Sequence, residues 1–203
     1  MTQVTEGRGG HVPGVAGLLL TGGASRRMGG DKALLEVDGL SLAQRTANVL
    51  AAVVAPLLEV GPGRTTLPAV EEQPAGEGPL TAAAAGFRAL SDLGHVGPVM
   101  VVATDLPRLS VAVVRALAAH PSAGSVVALV AGRPQWLAAR WSPWAVGRAP
   151  GLVGQGQRRM GALADDVEWL DGSEWAGDLI DVDTPADLRH AGLVPVVGAN
   201  DDG

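Results

Sequence analysis

The apolar run Val15–Leu20 carries no charge and stops at the pair Gly22-Gly23. A strand without a polar face is buried on both sides, the condition of a strand inside a parallel sheet covered by helices. The next segment is equally restrictive. Gly22, Gly23, Gly29 and Gly30 alternate with Arg26 and Arg27 and lead to Lys32. Bare glycines let the backbone approach a ligand, and successive N–H groups in such a turn form an anion-binding concavity. Lys32 is the only lysine in a chain with 15 basic residues. Arginine presents a planar fork, whereas lysine is a compact charge on a flexible stem, suited to one phosphate oxygen. The loop is not a Walker A sequence, since Asp31 precedes Lys32 and Ala33 follows it. Nor is it G-x-G-x-x-G, because its glycines are adjacent.

Beyond this loop, short apolar runs alternate with helical spacing. Strands are expected at Leu34–Val37, Leu57–Val60, Ala69–Val70, Val99–Ala103, Val126–Val130 and Leu137–Trp141, the last two around the turn Ala131-Gly132-Arg133-Pro134. Ser41 caps a helix running to about Val54, with Leu42, Arg45, Val49 and Ala52 at helical spacing. Further helices are expected over Thr81–Leu93, from Ser110 to about Ala119, and over Gln157–Asp165 and Pro185–Ala191. Strands alternating with helices predict an α/β fold, a three-layer sandwich around a mostly parallel sheet. Ligands of such sheets sit beyond the carboxyl ends of the strands. The informative loops are therefore those after Leu20, Val60 and Ala103. Asp105 lies just past the last of these, where a carboxylate either holds a metal or caps the loop.

Composition excludes other classes. A formal charge of −6 argues against general nucleic-acid binding, so affinity for phosphate must be local. With no Cys there is no disulfide framework, zinc-thiolate site or thiol nucleophile. The apolar runs are too short to span a bilayer, and no charged start leads into an apolar secretion segment, so a cytoplasmic protein is expected. Residues 1–13 and 198–203 are polar and Gly-rich without periodicity and read as flexible tails around a single domain over 14–197.

Leu20 to Lys32 matches L-x-G-G-x-S-x-R-M-G-x-D-K position by position. This pattern resembles the signature loop of the molybdenum cofactor guanylyltransferases, the molybdopterin-guanine dinucleotide synthesis protein A family. Further landmarks follow in order: Gly78-Pro79-Leu80, V-V-A-T-D-L-P ending at Pro107, Gly132-Arg133-Pro134-Gln135, G-Q-R-R-M over Gly156–Met160, and D-V-D-T-P-A-D-L over Asp181–Leu188. The resemblance spans about residues 15–191. It implies a Rossmann-like nucleotidyltransferase fold and an enzyme in which the phosphate of molybdopterin attacks the α-phosphate of GTP and releases pyrophosphate. It also implies Mg²⁺ as cofactor, GTP and molybdopterin as ligands, and transient contact with enzymes that accept the finished cofactor. By the same resemblance Arg27 and Lys32 hold the triphosphate, the amides of Gly22 and Gly23 cradle it, and Leu20-Thr21-Gly22 with Gly78-Pro79-Leu80 flank the base. Asp105 is the first metal candidate. Asp183 is the second, where the family often has Asn, unless Asp183 or Thr184 only caps a helix beginning at Pro185.

The chain departs from the family pattern in three places. Gly61 stands where many members have Asn, so only its backbone can meet the nucleotide. The acidic residue before Gly-Pro-Leu falls within Glu71-Glu72-Gln73, with Glu72 the favoured register. Gln135-Trp136-Leu137 replaces the usual Pro-Leu pair. Arg158 and Arg159 either bind the acceptor phosphate or form a solvated helix face. The five tryptophans, all between 136 and 175, read as packing before stacking on a pterin. Two alternatives stand beside guanylyl transfer to molybdopterin. One is a related nucleotidyltransferase with another base or acceptor, by cytidylyl transfer to molybdopterin or guanylyl transfer to a phospho-acid. The other is a catalytically inactive nucleotide-binding regulator.

Overall fold

The computed structural model describes residues 10–22 and 31–182, together with Asp187 and Leu193. Nine strands and four helices follow in chain order among these residues. They are β1 (Ala16–Leu20), β2 (Glu36–Val37), β3 (Leu40–Ser41), α1 (Leu42–Ala51), β4 (Leu57–Val60), β5 (Ala69–Val70), α2 (Pro79–Asp92), β6 (Val99–Ala103), α3 (Val111–Ala118), β7 (Ser125–Val130), β8 (Arg133–Trp141), α4 (Pro143–Gly154) and β9 (Val167–Asp171). Seven of the strands form one sheet in the order β5-β4-β1-β6-β8-β7-β9. β1 runs parallel to both β4 and β6, and β8 is the strand that runs against its neighbours β6 and β7.

Side chains alternate across this sheet, as the two-residue period of a strand requires. Leu18, Leu20, Val99, Val101 and Ala103 face one side, where they pack with Leu80, Ala83, Phe87 and Leu90 of α2 and Ala145 and Ala149 of α4. Leu19, Met100 and Val102 face the other, against Ala47 and Leu50 of α1 and Val113, Val114 and Leu117 of α3. Helices thus cover both faces, which is why β1 and β6 are apolar at every position. The result is the three-layer α/β sandwich with a mostly parallel sheet. Ser41, Ser110 and Ser142 each accept a backbone N–H three residues on and so cap α1, α3 and α4. No helix among the described residues is long and apolar enough to cross a membrane.

Several elements differ from the sequence expectation. Leu34–Val37 is not one strand: Lys32–Leu34 forms a 3₁₀ turn, and β2 then pairs antiparallel with β3. Asp38 and Gly39 between them both take positive φ, the geometry of a two-residue hairpin turn. The helix expected over Gln157–Asp165 is a 3₁₀ segment over Met160–Asp166. The local pattern predicts neither α4 nor β9. α4 contains Gly147, Pro150 and Gly151, which read as a loop. It holds as a helix because Ala145 and Ala149 are sealed in the core beside α2. β9 is an edge strand with little buried surface, so it lacks a clear apolar pattern. Of the helix expected over Pro185–Ala191, only Asp187 is described, and it is helical.

Candidate active site

β1 lies between β4 and β6, and Leu20 pairs with Val60 on one side and Ala103 on the other. The three strands therefore end level, and the loops after Leu20, Val60 and Ala103 emerge side by side. Thr21 continues the register, its N–H donating to the Val60 carbonyl at 3.0 Å. Its hydroxyl turns sideways and donates to Oε1 of Glu59 at 2.6 Å. Glu59 is fully buried. A charge taken out of water is costly unless its lone pairs are filled. Here the turn after β4 fills them. Oε1 also accepts the Arg64 amide at 2.6 Å, and Oε2 accepts the amide and hydroxyl of Thr65 at 2.8 and 2.7 Å. Burial pushes the Glu59 carboxyl up, but these hydrogen bonds from Thr21, Arg64 and Thr65 outweigh it and leave its pKa below the usual carboxylate value.

Gly61 sits against the same point, with φ +149°. A Cβ there would lie 2.1 Å from Thr21 Oγ1 and 2.9 Å from the Gly22 nitrogen. A residue with a side chain at position 61 would push the β1 loop off its seat. The turn after β4 reaches the far side of the Gly-rich loop as well. The Arg64 guanidinium pairs with Oδ2 of Asp31 at 2.5 Å. Oδ1 of Asp31 caps the following 3₁₀ turn through the Ala33 amide at 3.1 Å. Lys32, the first residue of that turn, is 8% exposed. At the end of β6, Asp105 is half-buried, and its carbonyl accepts the Val182 amide at 2.9 Å. Val182 packs with Val37 and Leu42, and the Leu42 amide donates to the Leu35 carbonyl. The Lys32 turn and the Asp105 loop thus share one small apolar support.

A family model described as "MobA-like NTP transferase domain" matches residues 17–167. The probable molybdenum cofactor guanylyltransferase of Mycobacterium tuberculosis is 36% identical over 165 residues, 77% of this chain and 82% of the relative. That of Mycobacterium marinum is 33% identical over 193 residues, 90% of this chain and 95% of the relative. The chain belongs to the MobA-like nucleotidyltransferase family. Among solved structures, molybdopterin-guanine dinucleotide biosynthesis protein A from Archaeoglobus fulgidus superposes with a TM-score of 0.70 at 18% identity, covering 87% of this chain and 96% of that one, a likeness of fold.

The remaining family landmarks gather around the start of α2. Gly78, with φ +103°, precedes that helix, and a Cβ there would meet the Arg158 carbonyl at 3.0 Å. The Leu80 amide donates to that carbonyl at 3.0 Å, and the Leu80 side chain is fully buried. The Gly-Pro-Leu and G-Q-R-R-M segments are thereby joined through backbone. The Arg158 guanidinium is already engaged with Glu77, at 3.1 Å, and with the carbonyls of Val153 and Gln157. Arg159 is exposed, and its guanidinium makes no hydrogen bond or ion pair among the described residues. Glu72 Oε1 accepts the Gly76 amide at 2.7 Å, while its Oε2 is buried with no hydrogen-bond partner among the described residues. Trp136 stacks on buried Trp141 at 6.2 Å and meets Trp169 edge-on at 5.5 Å, in keeping with packing.

Gly23, Arg27 and Asp183 lie outside the described residues. Glu59, Arg64 and Thr65 are functional candidates that the sequence motifs do not mark. One signal was available: a lone Glu in the strand Leu57–Val60 demands buried donors.

Proposed function

We propose that this MobA-like nucleotidyltransferase transfers GMP from GTP to the phosphate of molybdopterin and releases pyrophosphate. What supports the reading is that the signature sequence starts at the end of β1, level with the end of β6 that leads to Asp105, in a chain whose relatives at 33–36% identity are named for that reaction. An acceptor phosphate oxygen forms a bond to the α-phosphorus of GTP. The bond from that phosphorus to the bridging oxygen of the β-phosphate breaks, and its electron pair leaves with pyrophosphate. Such a step calls for alignment and charge neutralisation more than for a protein nucleophile. Lys32 and Arg27 hold the triphosphate, with the amides of Gly22 and Gly23. The charge of Lys32 stabilises the leaving group as negative charge builds there.

Mg²⁺ is held through one or two carboxylates plus phosphates and water. Asp105 offers such an oxygen at the strand end, with Asp183 as the second donor, and the ion supplies charge neutralisation when bound. Leu20–Gly22 and Gly78–Leu80 flank the base. Gly61 meets the nucleotide only through backbone. The carboxylate of Glu72, whose Oε2 has no hydrogen-bond partner among the described residues, is an acceptor type suited to the N1–H and amino group of guanine, donors that adenine lacks at these positions. Arg159, more than Arg158, has a guanidinium available to the acceptor phosphate.

Turnover of purified protein with molybdopterin, Mg²⁺ and one nucleotide at a time, followed by pyrophosphate release, tests the reading. GTP is expected to exceed ATP in kcat/KM by at least about tenfold, or about 1.4 kcal/mol. Greater turnover with CTP would assign the chain to cytidylyl transfer instead.

A further inference from the structure

The turn after β4 touches the Gly-rich loop at both of its ends. At the start, Thr21 donates to Glu59 Oε1. At the far end, Asp31 receives the Arg64 guanidinium, and Asp31 caps the turn that begins with Lys32. These two attachments are not independent. The carboxylate that takes the Thr21 hydroxyl also takes the amides of Arg64 and Thr65, so the backbone that carries the Arg64 side chain is pinned by Glu59. Glu59 is the only Asp or Glu in the buried set among the described residues. Gly61 belongs to the same device, since any side chain there would occupy the place of the Thr21 hydroxyl.

We infer that Glu59 and Arg64 are positioning residues which clamp the two ends of the Gly-rich loop as one unit, Glu59 setting Thr21–Gly22 and Arg64 setting Asp31–Lys32. The Gly22 amide and Lys32 are thereby held in place before a ligand arrives, which lowers the ordering entropy that binding costs. The Arg64 arm of the clamp acts on groups that hold phosphate, while the Glu59 arm acts on Thr21–Gly22, which flank the base as well. It rests on the proposed function only in taking Lys32 and the Gly22 amide as those groups.

The test uses Arg64→Gln, Asp31→Asn, the double variant, Arg64→Lys and Thr21→Val in the full chain. The Arg64–Asp31 pair is about one-third exposed on each side, so its variants keep the core intact. Two readouts are taken: affinity for tripolyphosphate by calorimetry, and steady-state kcat and KM with the nucleotide that the wild-type protein uses best. Arg64→Gln and Asp31→Asn should each lower kcat and tripolyphosphate affinity by about tenfold, the scale expected of sub-ångström misplacement. The double variant should be no worse than either single one, because both remove the same tie. Arg64→Lys, which can still pair with Asp31, should recover most of the loss. Thr21→Val should act chiefly on KM. Additive losses in the double variant, or wild-type affinity and kcat in Arg64→Gln, would overturn the clamp. A preference for CTP would sink the guanylyl reading alone, because tripolyphosphate carries no base.

Discussion

At the scale of single residues, Glu59 shows how one buried charge organises a loop. Four donors from Thr21, Arg64 and Thr65 fill its lone pairs, and together they hold its pKa below the usual carboxylate value against the upward push of burial. A carboxyl with a lower pKa folded than unfolded adds stability above its unfolded pKa. That contribution drains away as pH falls through the folded value. Unfolding in urea should therefore separate wild type from Glu59→Gln most at neutral pH. The gap should narrow below about pH 4, where the unfolded carboxyl takes its proton. A gap independent of pH would mean that Glu59 contributes by shape and not by charge. Glu59 could have been suspected from sequence as a polar residue in an apolar strand. Its partner Thr21 could not, because it is 38 residues away along the chain.

At the scale of elements, α2 sets the depth of the site. Gly86 faces the sheet, and a Cβ there would fall 2.6 Å from Leu18 and 2.7 Å from Val60 side chains. The glycine lets α2 lie close on β1 and β4, which brings Gly78 and Pro79, two turns earlier in the chain, to the carboxyl edge of the sheet. Gly86→Ala forces these buried side chains apart and should lower stability by about 1–3 kcal/mol, measured as a shift of the urea midpoint at constant slope. Element boundaries were legible where burial is deep: β4 and β6 have the ends that their apolar runs predict. Where burial is partial or Gly and Pro intervene, the local signal fails. α4 and β9 form because a neighbour covers one side of each, information that local periodicity does not carry.

At the scale of the whole molecule, the sheet order makes the site. β1, β4 and β6 are separated by long stretches of chain, yet they lie side by side with level ends. A ligand held across these ends binds only the folded protein and so raises apparent stability by mass action. Saturating Mg²⁺ with GTP, at about 100 times its dissociation constant, should stabilise the fold by about 2.7 kcal/mol, read as a rise in Tm. ATP at the same concentration should give a smaller rise. An equal rise with both nucleotides would remove Glu72 and the Gly78 loop from base selection.

Local chemistry in the sequence determined the class of fold, the three informative loops and the family. Those properties depend on residue order over short distances: apolar period, glycine freedom and a contiguous motif. The tertiary structure alone decided that Glu59 ties Thr21 to the turn after β4, that Arg64 reaches Asp31, and that the Arg158 backbone supports α2 while its guanidinium is spent on Glu77. Each of these joins groups far apart in the chain through a polar contact. Such a partner is chosen by which strands lie adjacent and where their ends fall, and only the folded sheet specifies both.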